Sequence, residues 1–303
     1  MTVTHRPLGP HPTSTPSTGI RLLDITPFVL VHLALLGCFW TGVKGSDFIA
    51  LGIIYLVQMT AVTVGYHRYF SHKTFRTGRV FQFLLAFLAQ TTAQKGVLWW
   101  AAHHRDHHRH SDTPRDVHSP VVKGFAYAHV GWLFDRRHDA TKLSKIRDFA
   151  RFRELRVLNR FHLAPAILVG WIILQTLGTS TLLLGFLGSI VLCWHVTFFI
   201  NSLAHVWGTR TYETSDQSRN NALLALLSCG EGWHNNHHHD MLDARLGTRW
   251  WQIDTGWYTI WFLSKLRIVR DPRRRVFHRR SAPPTRAHLG MPLGSEAALR
   301  ENS

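Results

Sequence analysis

The sequence predicts an all-α integral membrane protein: four transmembrane helices in two hairpins, under a cytosolic helical cap that holds a histidine cluster suited to metal. Three observations predict it. Apolar residues are concentrated in a few long runs, Lys and Arg gather in the stretches between and after them, and three short histidine clusters sit in those basic stretches.

A helix needs roughly 20 apolar residues to cross a hydrocarbon core of about 30 Å. Residues 25–43, 48–66, 161–178 and 181–203 meet that length. The run Phe81–Ala89 is too short to span and is followed by Gln90, Thr91 and Thr92. It is expected to form an interfacial or re-entrant helix. Orientation follows from the cations, because short cytoplasmic loops are enriched in them. The connections Thr41–Asp47 and Gly178–Thr181 carry one Lys between them, whereas His67–Arg160 and the region after His205 are strongly basic. Both termini and every histidine cluster are therefore expected on the cytoplasmic side.

The formal net charge of +17 then follows from topology and from attraction to anionic headgroups. Nucleic-acid binding is not expected, since the basic residues flank apolar runs and no nucleic-acid fold signature accompanies them. Cys38, Cys193 and Cys229 lie far apart in or near apolar stretches, offering neither a disulfide framework nor a cysteine metal site. Residues 1–24 lack the cationic-then-apolar pattern of a secretory signal and read as a disordered lead-in. Residues 25–270 read as the membrane domain. Residues 271–303, with Arg273-Arg274-Arg275, Arg279-Arg280 and Pro283-Pro284, read as a basic, disordered tail near the membrane.

The clusters are His67-x4-His72, His104-x2-His107-His108 and His234-x2-His237-His238. Imidazole is the commonest neutral metal ligand. Spacings of three and four put His104 beside His107 and His108 on one helical face, and His234, His237 and His238 repeat that geometry. His67 and His72 are five apart, so His67 is expected to end the second span with His72 beyond a bend. Asn201 and His205 are four apart, and a helix beginning near Thr181 has risen about 36 Å by His205, clear of the hydrocarbon. Nine histidines and an asparagine exceed the needs of one ion, so two metals are expected. All-nitrogen ligation argues against Mg and Ca and leaves iron, zinc, copper or manganese. His118 and His129 are candidates for orienting ligands through hydrogen bonds. No metal role is expected for His5, His11, His278 and His288 near the termini, for His32 and His195 in spans, or for His103, His110 and His239 beside the clusters.

These boxes, together with Asp116-Val117-His118-Ser119-Pro120, Ala128-His129-Val130-Gly131-Trp132, Asn201-Ser202-Leu203-Ala204-His205 and Gly230-Glu231-Gly232-Trp233-His234, resemble the membrane fatty-acyl desaturases of the stearoyl-CoA and acyl-lipid Δ9 type. The resemblance runs in order from about residue 25 to 270. It implies a di-iron centre ligated by His67, His72, His104, His107, His108, His205, His234, His237 and His238, with Asn201 meeting one iron through a water. It also implies that O2 and two external electrons are consumed while two hydrogens leave adjacent methylenes, giving a cis double bond in an acyl chain carried on CoA or glycerolipid. Trp100 matches an aromatic that lines the acyl tunnel in that family.

Where animal acyl-CoA enzymes carry an Arg-Asp pair and an upstream Asn, this chain has Ala102, His103 and Lys95, so contacts to a CoA headgroup are expected to differ. Trp-His-Asn-Asn-His-His with Ser111-Asp112 looks like bacterial members, which implies a bacterial inner membrane. The chain has no His-Pro-Gly-Gly haem motif, iron–sulfur cysteines or G-x-G-x-x-G fingerprint, so electrons must come from a ferredoxin- or cytochrome-type donor with its NAD(P)H reductase. The competing readings are a di-iron lipid hydroxylase or ketolase, a His-rich membrane metal transporter, and a zinc-stabilised scaffold. A transporter would hold its ligands at mid-membrane, and a structural zinc takes only four.

Overall fold

The computed structural model describes residues 22–274. In chain order its main helices are α1 (Leu23–Thr41), α2 (Gly45–Ser71), α3 (Arg79–Gln90), α4 (Val97–His110), α5 (Arg153–Arg160), α6 (Ala164–Leu177), α7 (Thr181–His205), α8 (Ala222–Leu227), α9 (His234–His239) and α10 (Thr255–Lys265). Two short strands, β1 (Arg76–Thr77) and β2 (Val269–Arg270), pair antiparallel with Arg76 opposite Arg270. Short turns between α4 and α5 pack against α4 and α7.

Three helices, α1, α2 and α7, are long and apolar enough to cross a membrane. Their large side chains are turned outward as lipid-facing residues would be, among them Leu30, Leu33 and Phe39 on α1 and Ile49, Ile53 and Leu56 on α2. The stretch 161–178 differs from the expected straight span. It holds the 14-residue α6, about 21 Å long at 1.5 Å per residue, bent by 68° from α5. Pro165 at the start of α6 explains the break, since it fits a first helical turn and cannot continue the preceding helix.

α2 and α7 approach closely because Gly185 and Gly188 face Ala50 and Leu51; a Cβ on Gly185 would lie 3.2 Å from the Ala50 Cβ. At their outer ends Asp47 accepts from the Lys44 backbone N–H at 2.8 Å and from the Thr181 hydroxyl at 2.5 Å, so one carboxylate caps α2 and ties it to α7. α3 is the expected short helix over Phe81–Ala89, and it has two faces. Gln82, Leu85, Ala86 and Ala89 are buried, while Val80, Leu84 and Leu88 are exposed. The largest core cluster joins Tyr66 and Phe70 of α2 to Leu98 of α4, Leu155 of α5 and Ile260 of α10, each apolar side chain contributing about 1.5–3 kcal/mol on burial.

From Ala61 to Ser71 the second span winds as a π-helix in which every residue is buried, and His72 N–H donates to His67 O at 3.2 Å. The expected bend between His67 and His72 is thus replaced by continued helix. A π turn bonds residue i to i+5, so a spacing of five that separates two side chains on an α-helix brings them together here. Arg105 holds the end of this turn by donating to the carbonyls of Phe70 and Ser71 at 2.8 and 2.9 Å.

Of the expected termini, residues 1–21 and 275–303 lie outside the described residues. Asp24 pairs with Arg136 at 3.1 Å. Arg273 donates its backbone N–H to Thr74 O and accepts from Ala244 N–H, so the packed chain extends past residue 270.

Candidate metal centre

Helix α4 starts where it does because Asn159 of α5 accepts from the backbone N–H groups of Leu98 and Trp99 at 3.0 and 2.9 Å, acting as an N-cap in trans. Gly96 leaves room for it: a Cβ there would lie 2.3 Å from Asn159 Oδ1. The docked α4 carries its histidines into the space beside the π turn of α2, and α9 meets them from the other side.

All nine expected histidine ligands converge, in two groups. The candidate nitrogens of His67, His72, His104, His108 and His237 lie within 4.8 Å of one another, as do those of His107, His205, His234 and His238. Each His-x2-His-His motif serves both groups. At 100° per residue, i+4 lies 40° from i while i+3 lies 60° to the other side. His104 and His108 accordingly share one group and His107 enters the other. His234 and His238 share the second group, and His237 crosses to the first.

The donor set fits a metal. Within the groups, Nε2 atoms face each other at 2.9 Å for His67–His237, His72–His104 and His108–His237, and at 3.0 Å for His104–His108 and His205–His234. Two nitrogens bound at about 2.1 Å and at right angles on one cation stand about 3.0 Å apart, which is this spacing. The opposite ring nitrogens of four of these histidines face carboxylates, hydrogen-bonded at His107, His205 and His238. Nδ1 of His107 lies 3.0 Å from Asp116, Nδ1 of His205 2.9 Å from Asp112, Nδ1 of His238 2.6 Å from Asp216 and Nδ1 of His67 2.5 Å from Glu231. A proton on Nδ1 directed at a carboxylate leaves Nε2 as a bare lone pair aimed inward. Nε2 of His238 is buried with no protein partner, as a ligand awaiting a cation would be.

Burial is the largest influence on these rings. It pushes His72, His104, His108, His234 and His237 well below the usual histidine range, with neighbouring imidazoles adding to the effect. Burial also lowers His238, to about 4, against the pull of Asp216. For His107 burial is outweighed by Asp116, and its pKa rises. Burial works against ionisation of Asp112, yet its hydrogen bond from His205 prevails and holds it at about 2. The signs give a prediction. Five rings that stay neutral when folded but titrate near 6.5 when unfolded make the unfolded chain take up more protons on acidification. His107, with a raised pKa, opposes this as one group against these five and His238. Metal-free protein is therefore expected to lose thermal stability between pH 7.5 and 5.5 in detergent, and equal midpoints at the two pH values would contradict it.

The other predicted positions sort as follows. Asn201 is half-buried at the edge of the large cavity described below. Trp100 stacks on His104 with ring centroids 5.0 Å apart. His118 is buried against the His107 ring at 4.3 Å and groups with His107 and Asp116. His129 is in neither group: its Nδ1 lies 3.1 Å from Ser202 Oγ and its Nε2 3.1 Å from His195 Nδ1, which in turn leads to His32. His103 turns away, with Nδ1 on the Trp99 carbonyl, and His239 stacks on Tyr212.

Sequence reasoning missed the four carboxylates and Arg68. Their signal was weak: Asp112, Asp116, Asp216 and Glu231 stand near the boxes, but acidic residues in loops are common. Arg68 is 1% exposed and bridges Asp254 at 2.8 Å and Glu231 at 3.2 Å. Gly230, at φ +112°, admits this network, because a Cβ there would lie 2.3 Å from Asp254 Oδ1. Asp216→Asn is expected to weaken metal retention by the second group about 10–100-fold, by removing the acceptor that orients His238. Chelator titration followed by metal analysis checks this; the same retention as the parent would count against it.

A cavity of about 910 Å³ opens beside the first group. His104, Trp100, His118 and Asn201 form part of its wall, and Phe28, Trp194, Phe186, Ile190 and Gly170 extend it among α1, α6 and α7.

Fold and site together define a helical protein with membrane-length apolar helices and a buried polyhistidine centre fit to hold metal. The fatty acid desaturase family profile matches residues 40–261. The chain is 37% identical over 222 residues to Delta-9 acyl-lipid desaturase 1 of Arabidopsis thaliana, covering 72% of each chain. It is 32% identical to the acyl-CoA C20 Delta5-desaturase of Anemone leveillei, over 75% of this chain and 73% of that one. It is 34% identical to the hex-5-enoyl-[acyl-carrier protein] acetylenase of Moorena producens, over 82% and 84%. The chain belongs to the fatty acid desaturase family, and it is an oxidoreductase acting on fatty acyl chains.

Proposed function

We propose that this protein introduces a cis double bond, at Δ9, into a saturated acyl chain, using two iron ions held by the nine histidines with Asn201 contributing through a water. The observation that carries the reading is the contact between an apolar cavity of about 910 Å³ and the first nitrogen group, through His104, with Asn201 also on its wall. Iron bound there supplies, with O2 and two external electrons, the oxidising power needed against unactivated methylene C–H bonds. The balance is one acyl CH2–CH2, O2, two electrons and two protons giving CH=CH and two waters.

The chain's own residues position and shield. The cavity holds the acyl chain among Phe28, Trp194 and Phe186, with Trp100 stacked on His104 fixing which carbons lie nearest the metals. Asp112, Asp116 and Asp216 keep the tautomers of His205, His107 and His238, Glu231 stands beside His67, and the mostly buried setting of both groups limits access of water. His118 supports His107 from behind. His129 acts at longer range, by fixing Ser202 beside Asn201.

In the membrane we place α1, α2, the bent α5–α6 pair and α7 as four crossings, with the rest of residues 25–270 as a cytoplasmic cap followed by a basic tail. This fits a bacterial inner membrane and an external ferredoxin- or cytochrome-type donor with its NAD(P)H reductase. The relatives named above act on acyl groups carried by lipid, CoA and acyl-carrier protein. Here Ala102 and His103 offer no cation–carboxylate pair for a CoA headgroup, which favours acyl-lipid.

Expression in a desaturase-deficient host, with fatty-acid analysis and double-bond location, tests the reading. A monounsaturated Δ9 product supports it, and a hydroxylated chain as the main product would refute it. Gly170 provides a second check. A Cβ there would lie 3.1 Å from the Phe186 ring in the cavity wall, so Gly170→Leu fills space an acyl tail would use. It is expected to shift product toward shorter chains by about tenfold or more, at 1–3 kcal/mol per displaced methylene. An unchanged chain-length profile with full expression would rule out this part of the wall as the limit.

A further inference from the structure

We infer that a second cavity, sharing no wall residue with the acyl cavity, binds the phosphate group of a glycerophospholipid. It has a volume of about 660 Å³ and lies between the β1–β2 ladder, the start of α3 and the segment 148–152. This site does not depend on the chemistry proposed for the metal centre.

Five cations stand on its wall, Lys73, Arg76, Arg151, Arg270 and Arg273, against two carboxylates, Asp148 and Asp271, leaving a net charge of +3 (5 − 2). Asp148 is already engaged, by Arg105 through both oxygens at 3.0 Å and by Lys73 at 3.2 Å. Asp271 meets Arg76 at 3.6 Å in an exposed pair of little strength. Arg151, Arg270 and Arg273 form no ion pair among the described residues.

The buried part of the wall carries a second, independent feature. Gln82 is 3% exposed, and the Tyr69 hydroxyl donates to its Oε1 at 2.9 Å. That bond fixes the amide with its NH2 group remaining, and Nε2 has no hydrogen-bond partner among the described residues. A buried donor without an acceptor is costly, and here it lines the same cavity as the four guanidinium groups of Arg76, Arg151, Arg270 and Arg273. A phosphate answers both, because its several anionic oxygens accept from forked guanidinium donors and from a neutral N–H at once.

The surroundings identify the source as lipid. α3 leaves the rim of the cavity at Arg79 and exposes Val80, Leu84 and Leu88, four residues apart on one face. α10 runs to the rim at β2 and exposes Tyr258, Trp261 and Phe262. The ladder joins these two apolar stripes at the cationic pocket. A free phosphate would need neither stripe, whereas a phospholipid needs the pocket for its headgroup and apolar surface for its chains.

The test uses the full-length, metal-loaded protein in detergent, titrated separately with dioleoyl-phosphatidylglycerol, dioleoylglycerol and inorganic phosphate, and read by native mass spectrometry and thermal midpoint. Phosphatidylglycerol is expected to bind saturably and raise the midpoint, while the other two leave it unchanged. Arg270→Gln/Arg273→Gln and, separately, Gln82→Leu are expected to weaken that binding at least tenfold. Arg109→Gln/Arg115→Gln, which removes two exposed cations elsewhere, is expected to leave it unchanged. Equal binding by dioleoylglycerol overturns the phosphate assignment, and an equal effect of inorganic phosphate overturns the lipid assignment. Equal weakening by the distant pair overturns the site in favour of general charge attraction, and unchanged binding by Gln82→Leu overturns it as well. Should the double arginine variant fail to fold, Gln82→Leu decides the matter alone.

Discussion

Replacing His107 by alanine is expected to abolish product formation while leaving the protein inserted in the membrane. His107 supplies one of only four nitrogens in the second group, and its Nδ1 is held by Asp116 at 3.0 Å in a fully buried pair. Alanine removes the ligand and leaves the Asp116 carboxylate buried without its imidazole partner, so three ligands and a misplaced charge remain. Loss of a metal there disables the pair, since neither ion alone completes the proposed oxidation. The expected measurements are no detectable unsaturated product and a metal content reduced by about half, with the first group still loaded. Product above a tenth of the parent level would show that the second group is not part of the reaction. Cellular metal uptake that survived this substitution and His237→Ala, with fatty acids unchanged, would instead favour transport.

The largest expected loss of stability comes from Arg68→Leu. Arg68 is fully buried, donates to Asp254 and to Glu231, and also bonds the Ala244 carbonyl at 2.8 Å. Asp254 in turn accepts from the backbone N–H groups of Leu246 and Trp257, and Glu231 stands 2.5 Å from His67. Removing the cation strands two buried carboxylates, a change that costs about 3–5 kcal/mol. For a chain of this size that corresponds to a fall of roughly 6–20 °C in the thermal midpoint. Lysine is not expected to rescue it, because a single ammonium cannot reach Asp254, Glu231 and the carbonyl together as the planar guanidinium does. A midpoint within about 2 °C of the parent would mean that the carboxylates find other partners. Because Glu231 stands 2.5 Å from His67 Nδ1, metal binding by the first group should weaken alongside stability.

The candidate metal ligands were legible in the sequence because imidazoles three and four apart on short helices have few other uses when several such motifs recur beside apolar runs. His67, His72, His104, His107, His108, His205, His234, His237 and His238 all meet, and the apolar lengths of α1, α2 and α7 agree with the runs that predicted them. Spacing separates His107 from His104 and His108, and His237 from His234 and His238, but it could not reveal which of these meet across the two helices. That division depends on the angle at which α4 and α9 face each other, and therefore on contacts such as Asn159 capping α4. Nor did spacing reveal that His67 and His72 share a continuous helix, since five residues read as separation on an α-helix and as proximity on a π-helix.

The predicted third crossing came out short and bent because a hydropathy window counts apolar residues without weighing where Pro165 restarts the chain. The orienting carboxylates escaped notice for a related reason. Asp216 and Glu231 reach His238 and His67 across intervals of 22 and 164 residues (238 − 216 and 231 − 67), and no local pattern encodes such a meeting. Local order along the chain thus set which side chains could bind metal and which helices could lie in lipid, through properties each short segment carries alone. Folding set the grouping of the histidines, the carboxylates that face His107, His205 and His238, and the reach of the large cavity, because those arise only where separate segments pack against one another.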